Sequence, residues 1–196
     1  MTRKEFINKV TNSHKDFISE FIHILKANLP APRQRRGSPK AARLRQAGRM
    51  PFCIIGGLAV NAYAEPVVSL DLDVVVVVKE VHNLVKLLRK RYKVSKYPNS
   101  INISYSQSDL RIQIHIDPRY QPFIKKAKVK DVLGYRLPVA RIEDVFQGKI
   151  WAAQDPKRRP SKRQKDLSDI QRMMEVKPSL SKLLPQSIKN RLIVKF

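Results

Sequence analysis

Apolar residues change their spacing several times along this chain, and each change predicts an element. From residue 3 to 27, Phe6, Val10, Phe17, Phe21 and Leu25 recur at helical intervals with charged residues between them. That pattern predicts an amphipathic helix. It carries His14 and His23, which have no partners at metal-ligand spacing and read as ordinary helix residues. Residues 52–78, FCIIGGLAVNAYAEPVVSLDLDVVVVV, then read as a strand, a glycine turn, a short helix, a polar turn and a second strand. The second strand opens on Asp71 and Asp73 and continues as Val74 to Val78, a β-branched run expected where both faces are buried.

Beyond it, residues 79–91 predict a helix with Val81, Leu84, Leu87 and Leu88 on its apolar face. Residues 101–106 and 110–117 alternate apolar and polar, which predicts an antiparallel hairpin around Gln107–Asp109. In its second strand Ile112, Ile114 and Ile116 face the core, while Arg111, Gln113, His115 and Asp117 share the other face. Pro118 ends that strand. Residues 119–127 read as helical, and 128–139 as two short strands turning at Gly134. A helix follows at 141–154 with Ile142, Val145, Phe146, Lys149 and Ala153 on its inward stripe. Residues 155–165 read as a basic loop, 166–175 as a helix carrying Asp166 and Asp169, and 177–196 as helical turns covering the core. Four parts result: 1–27, a basic linker or insertion at 28–50, an α/β core at 51–140 and a C-terminal helical part at 141–196.

Charge adds a partner class to this outline. Lys and Arg number 40 against 16 Asp and Glu, a formal net charge of +24, which points to a polyanion such as nucleic acid or nucleotide phosphates. Residues 28–50 hold three prolines and seven Arg or Lys, and their second half, Lys40 to Arg49, suits a short basic helix or a nucleic-acid arm. The single cysteine, Cys53, sits within an apolar strand, so no disulfide framework forms within the chain and a cytoplasmic setting is expected. The first residues lack an apolar signal-peptide core, and no apolar run approaches the roughly 20 residues a bilayer requires. A membrane partner is therefore not expected.

Chemistry enters at three places. Asp71 and Asp73 lie two apart on a strand, so both carboxylates project to one spot. Two like charges there resist joint ionisation unless a cation neutralises them, and hard divalent ions with oxygen ligands, Mg²⁺ above all, suit such a pair. An aspartate pair by itself is more often a cap or a turn. Gly56-Gly57 follows a strand and opens a helix, an arrangement that lets backbone approach a ligand and offers N–H groups to phosphate, although helix–strand packing explains it equally well. Lys149 stands where an apolar residue belongs, which is costly unless its ammonium meets an anion or reaches solvent.

The combination IIGG (Ile54 to Gly57), a helix of about two turns, then Ser69-Leu-Asp-Leu-Asp resembles the nucleotidyltransferase superfamily that includes DNA polymerase beta and the kanamycin nucleotidyltransferases. More narrowly it looks like the small bacterial branch related to abortive-infection nucleotidyltransferase toxins, through GGLA (Gly56 to Ala59), Ser69, Asp71, Asp73, Lys149 in GKIWAA and Asp166 in KDLSDI. Val67 stands where that branch often has arginine. The resemblance implies a small mixed sheet flanked by helices. It further implies transfer of a nucleoside monophosphate from a triphosphate to an acceptor hydroxyl, with RNA favoured as acceptor, or a protein, and possible service as a toxin held by an antitoxin protein. Asp71, Asp73 and Asp117 would ligate two Mg²⁺ (or Mn²⁺) ions and carry catalysis, while Gly56, Gly57, Ser69 and Lys149 would hold the nucleotide. The third carboxylate belongs on a neighbouring strand. Asp117 is assigned to it here; if Gln113 takes that place instead, the site has two acids and the protein is a nucleotide- or nucleic-acid-binding module without efficient turnover.

Overall fold

A computed structural model describes Glu5, residues 17–29 and residues 51–192. Seven strands form one mixed sheet: β1 (Phe52–Ile55), β2 (Asp71–Val76), β3 (Lys93–Tyr97), β4 (Ser100–Tyr105), β5 (Ser108–His115), β6 (Lys128–Val132) and β7 (Tyr135–Val139). Their order across the sheet is β3-β4-β5-β2-β1-β7-β6. The helices are α1 (Phe17–Asn28), α2 (Gly56–Asn61), α3 (Val81–Leu88), α4 (Gln121–Lys126), α5 (Ile142–Gln154), α6 (Pro160–Val176) and α7 (Gln186–Lys189). The α/β class, the mixed sheet and the C-terminal helical part are those expected from the pattern of the sequence. None of the described helices is long and apolar enough to cross a membrane.

Three pairings place the chemistry. β1 and β2 are antiparallel with Ile55 opposite Asp73, so the glycine turn leaving β1 lies beside the strand that carries the aspartates. β2 and β5 are parallel, with Asp71 opposite Arg111, Asp73 opposite Gln113 and Val75 opposite His115. β1 also pairs in parallel with β7 through Ile54 and Val139, which brings the start of α5 next to the same edge. Val74, Val75 and Val76 are fully buried, as expected of a central strand covered on both faces.

Several boundaries differ from expectation. The strand of β2 stops at Val76; Val78 is 46% exposed and enters a 3₁₀ turn over Val78–Glu80. In α3 the buried stripe is Leu84, Val85 and Leu88, with Leu87 only partly covered. Helix α6 begins at Pro160, so half of the expected basic loop is helical: proline is tolerated in a first turn, and Lys, Arg and Gln are good helix formers. β3 was not anticipated at all. In the N-terminal helix only Phe17–Asn28 is described, with Phe17, Phe21 and Leu25 buried as expected, whereas Phe6, Val10, His14 and the basic segment up to Met50 lie outside the described residues apart from Asn28 and Leu29.

Candidate active site

Gly56 and Asp73 are fitted to one another. Gly56 turns the chain from β1 into α2 with φ +68, in the left-handed region. A Cβ placed on it would lie 1.9 Å from Asp73 Oδ2, so the missing side chain is the space the carboxylate fills. A Cβ on Gly57 would lie 3.1 Å from the Oγ of Ser69, which is itself buried. Gly56, Gly57, Ser69 and Asp73 are therefore brought together around one turn.

Asp71 and Asp73 project to the same face and both line a cleft of about 700 Å³ between the sheet and helices α5 and α6. Neither is bare. Arg111 Nε lies 3.0 Å from Asp71 Oδ1, and Lys162 Nζ reaches the other oxygen at 3.5 Å from across the cleft. His115 Nε2 lies 3.0 Å from Asp73 Oδ1. The two acids are partly exposed to the cleft, which leaves them open to a ligand.

Asp117 is held elsewhere. It sits past the end of β5, caps the turn Pro118–Tyr120 by accepting a hydrogen bond from the Arg119 N–H at 2.9 Å, and pairs with the Arg119 guanidinium at 2.7 Å. The hydrogen bond from Arg119 draws its carboxyl below the usual carboxylate range, against the opposing effect of burial. It does not line the cleft with Asp71 and Asp73. The residue beside Asp73 is Gln113, whose carboxamide cannot ionise. Pro118 ends the ladder before Asp117 can join it.

Lys149 is inward, as its stripe required, and its charge is met within the protein. Its ammonium lies 2.9 Å from Asp166 and 2.6 Å from Asp169, both on α6 and both buried. Burial opposes the charged form, but Asp169 and Asp166 outweigh it and raise the lysine above its ordinary value. Arg158 also holds Asp166, and Arg172 holds Asp169 at 2.7 Å. Lys149 lines the floor of the cleft as part of a clamp between α5 and α6. Lys157, Arg158, Arg159 and Lys162, from the segment that connects α5 to α6 and from the first turn of α6, also line the cleft, and of these Lys162 contacts Asp71.

Sequence reading did not assign Arg111, His115 or Lys162 to the site. The alternation on β5 had put Arg111 and His115 on the acid-bearing face, so a signal for those two existed. Tyr120 and Phe123 complete an aromatic wall, with Tyr120 edge-on to His115, Phe123 and Trp151 at centroid distances of 5.4 to 5.6 Å. Burial raises the Tyr120 phenol above its ordinary value, so it remains an O–H donor near neutral pH.

The donor set suits a hard divalent ion. Two aspartates on one face supply oxygen ligands, and Mg²⁺ is commonly held by one or two carboxylates with substrate phosphates completing its octahedron. Among the described residues no group of three or more His, Cys, Asp or Glu is arranged to hold a metal. Asp71 and Asp73 would supply two of the oxygen ligands of such an ion, and the rest would come from a bound phosphate chain or water.

No protein-family model matches this sequence, and no curated protein matches it. Solved structures of similar fold include the antibiotic-resistance factor ANT(2'')-Ia, at 16% identity and a TM-score of 0.49 over 88% of this chain and 91% of that one. Another is the lincosamide antibiotic adenylyltransferase LnuA, at 11% identity and a TM-score of 0.44 over 71% of this chain and 99% of that one. A third is an antigenic nucleotidyltransferase-like protein from Paracoccidioides brasiliensis, at 15% identity and a TM-score of 0.46 over 71% of this chain and 80% of that one. These likenesses concern the fold.

Proposed function

We propose that this chain is a nucleotidyltransferase that moves a nucleoside monophosphate from a triphosphate to the hydroxyl of a polyanionic acceptor, RNA foremost. The observation that carries the reading is Gly56 packed on Asp73, which joins a glycine turn and an acid pair in one cleft facing a cationic wall. Asp71 and Asp73 would hold a divalent ion together with the triphosphate. When bound, such an ion withdraws charge from the phosphoryl group and lowers the pKa of a coordinated hydroxyl. The protein's own groups do the rest. Lys157, Arg159 and Lys162 offset the charge of the leaving pyrophosphate. The acceptor oxygen bonds to the α-phosphorus, the bond to the bridging oxygen of the β-phosphate breaks, pyrophosphate departs, and the hydroxyl proton passes to the Asp73 carboxylate.

A net charge of +24 supports a polyanionic acceptor over a small polycationic one. The test is incubation with each labelled nucleoside triphosphate, total RNA and Mg²⁺. Label should enter RNA with the natural protein and be lost with Asp73→Asn; equal labelling by both would overturn the assignment.

Gln113 beside Asp73 favours a second reading, a binding module whose third acid has been replaced by an amide. Under that reading the natural protein binds triphosphate without transfer, and Gln113→Glu acquires it.

A further inference from the structure

We propose, resting on the nucleotidyl-transfer reading above, that the polar face of β3, β4 and β5 is a track for the single-stranded 3′ end of a polynucleotide, which delivers its terminal hydroxyl to Asp73. The sheet register builds this track in rows. Asp73 pairs with Gln113, Gln113 with Asn102 and Asn102 with Ser95, so one row runs from the acid across three strands. The next row holds Asp71, Arg111, Ser104 and Lys93. On the other side His115, Ser100 and Tyr97 make a third. The reverse face of β4 and β5 is apolar where it meets the core, with Ile101, Ile103, Ile112 and Ile114 buried.

The rows differ in chemistry. The outer one carries Arg111, paired with Asp71 at its inner end, and Lys93 at its outer end, which suits a phosphate there. The middle one is uncharged and presents two carboxamides and a hydroxyl, which suits the mixed donors and acceptors of base edges and ribose. The last carries Tyr97, 54% exposed at the rim of the cleft, a free ring for stacking.

Two observations support an occupant on this face. Asn102 Oδ1 is out of contact with solvent and has no hydrogen-bond partner. A buried carbonyl of this kind is costly to leave unpaired. Asn102 lines the cleft beside Gln113 through its other atoms, so a turn of the amide brings this oxygen to a bound base. In addition, a second depression of about 250 Å³ lies beyond the cleft, lined by Arg91, Lys93, Ser104, Tyr105 and Ser106. The two hollows share no lining residue, but Arg111 of the first is paired in register with Ser104 of the second, and Ser104 with Lys93, so they abut along this row.

Three strand spacings separate Asp73 from Ser95, about 14 Å. At a rise of about 3.4 Å per stacked nucleotide that accommodates roughly four residues of one strand. A duplex end keeps its base edges paired and cannot present them to Gln113 and Asn102. Polycationic acceptors are repelled by Arg111, Lys93 and Arg91.

The experiment is fluorescence anisotropy of the full chain with labelled tetranucleotides, as RNA and as DNA, over a salt series. The doubly substituted Arg91→Glu/Lys93→Glu protein should bind at least about tenfold more weakly at 0.1 M salt, with its log–log salt slope reduced by about 1.4, the value for two phosphate contacts on a single strand. Lys128→Glu/Arg136→Glu makes the same charge change at the opposite edge, on exposed residues of β6 and β7, and should weaken binding far less. Equal losses in the two double variants, or no loss in the first, would overturn the track. Asn102→Leu separates recognition from folding: it should weaken tetramer binding without lowering the melting temperature. A lowered melting temperature with unchanged binding would make the amide structural and overturn its role. RNA and DNA tetramers bound alike support readout of bases and phosphates; RNA bound in preference supports contacts to the 2′-hydroxyl by the same amides. Transfer to a protein or small molecule with no tetramer binding sinks the track and leaves nucleotidyl transfer standing. Tetramer binding through Arg91 and Lys93 with no transfer from any triphosphate does the reverse.

Discussion

Replacing Gly56 by alanine adds one methyl group and should disable the site. The new Cβ would meet Asp73 Oδ2 at 1.9 Å, Cγ at 2.6 Å and Cβ at 2.8 Å, so the carboxylate must turn away and, since rotation leaves Cβ in place, the backbone of β1 or β2 must shift as well. An L-residue in the left-handed region costs about 1–2 kcal/mol. Forcing Asp73 off its rotamer adds about 0.5–1.5 kcal/mol. The sum is about 1.5–3.5 kcal/mol, which at about 2–4 °C per kcal/mol for a chain of this size lowers the melting temperature by about 3–14 °C. Catalysis suffers more than stability, because a carboxylate displaced by about 1 Å costs about a hundredfold in rate. Thermal unfolding and labelled-nucleotide transfer, measured on the same preparation, test both numbers. Gly57→Ala is the control. Its Cβ would meet the Ser69 hydroxyl at 3.1 Å as its one tight contact, and the gain in helix propensity, about 1 kcal/mol, offsets that crowding. A Gly56→Ala protein as stable and as active as the natural one, or a Gly57→Ala protein equally damaged, would refute the reasoning.

Two further outcomes follow from the clamp and the cap. Lys149→Met leaves the buried Asp166 and Asp169 each short of a cation and should cost about 3–5 kcal/mol in urea unfolding; an unchanged midpoint with a raised KM for triphosphate would instead make Lys149 a substrate ligand. Arg119→Gln should cost at most about 1 kcal/mol near neutral pH, since the pair lies at the surface. Asp117 is depressed in the folded state, so the stability it contributes is present above the ordinary carboxylate value and is lost as pH falls through the folded one. The melting-temperature gap between the natural and Arg119→Gln proteins should therefore close on acidification; a gap constant from pH 7 to pH 2 would remove Asp117 from the account.

The glycine turn and the acid pair were legible because each obeys a strict local rule. A continuous apolar run names a buried strand, and two residues two apart on a strand must share a face. The alternation of β5 was equally plain. β3 was not, because KVSKY is a short edge strand with Lys93, Lys96 and Tyr97 exposed, and carries almost no hydrophobic signal. The oddity of Lys149 was visible, but its partners were not. Asp166 and Asp169 share the buried stripe of α6 with Leu167 and Ile170, a placement that only packing against α5 explains. Asp117 shares a face with Gln113 in an ideal strand, but the proline after it and the arginine two positions on take it into a turn.

The valine run of β2 has a consequence for the chain before it is folded. Val74 to Val78 is five consecutive β-branched residues without a charge or a proline, a segment prone to cross-β association whenever it is exposed. One of its two neighbours, β1, is close in sequence, but the other is distant: β5 follows some forty residues later. Until that pairing is made, Asp71 and Asp73 on one side and Lys79 with Glu80 on the other are the charges that keep this run in solution. The acid pair is thus placed as a gatekeeper against aggregation. Removing one of its charges should lower the yield of folded monomer, so transfer by such variants is to be compared per monomer recovered.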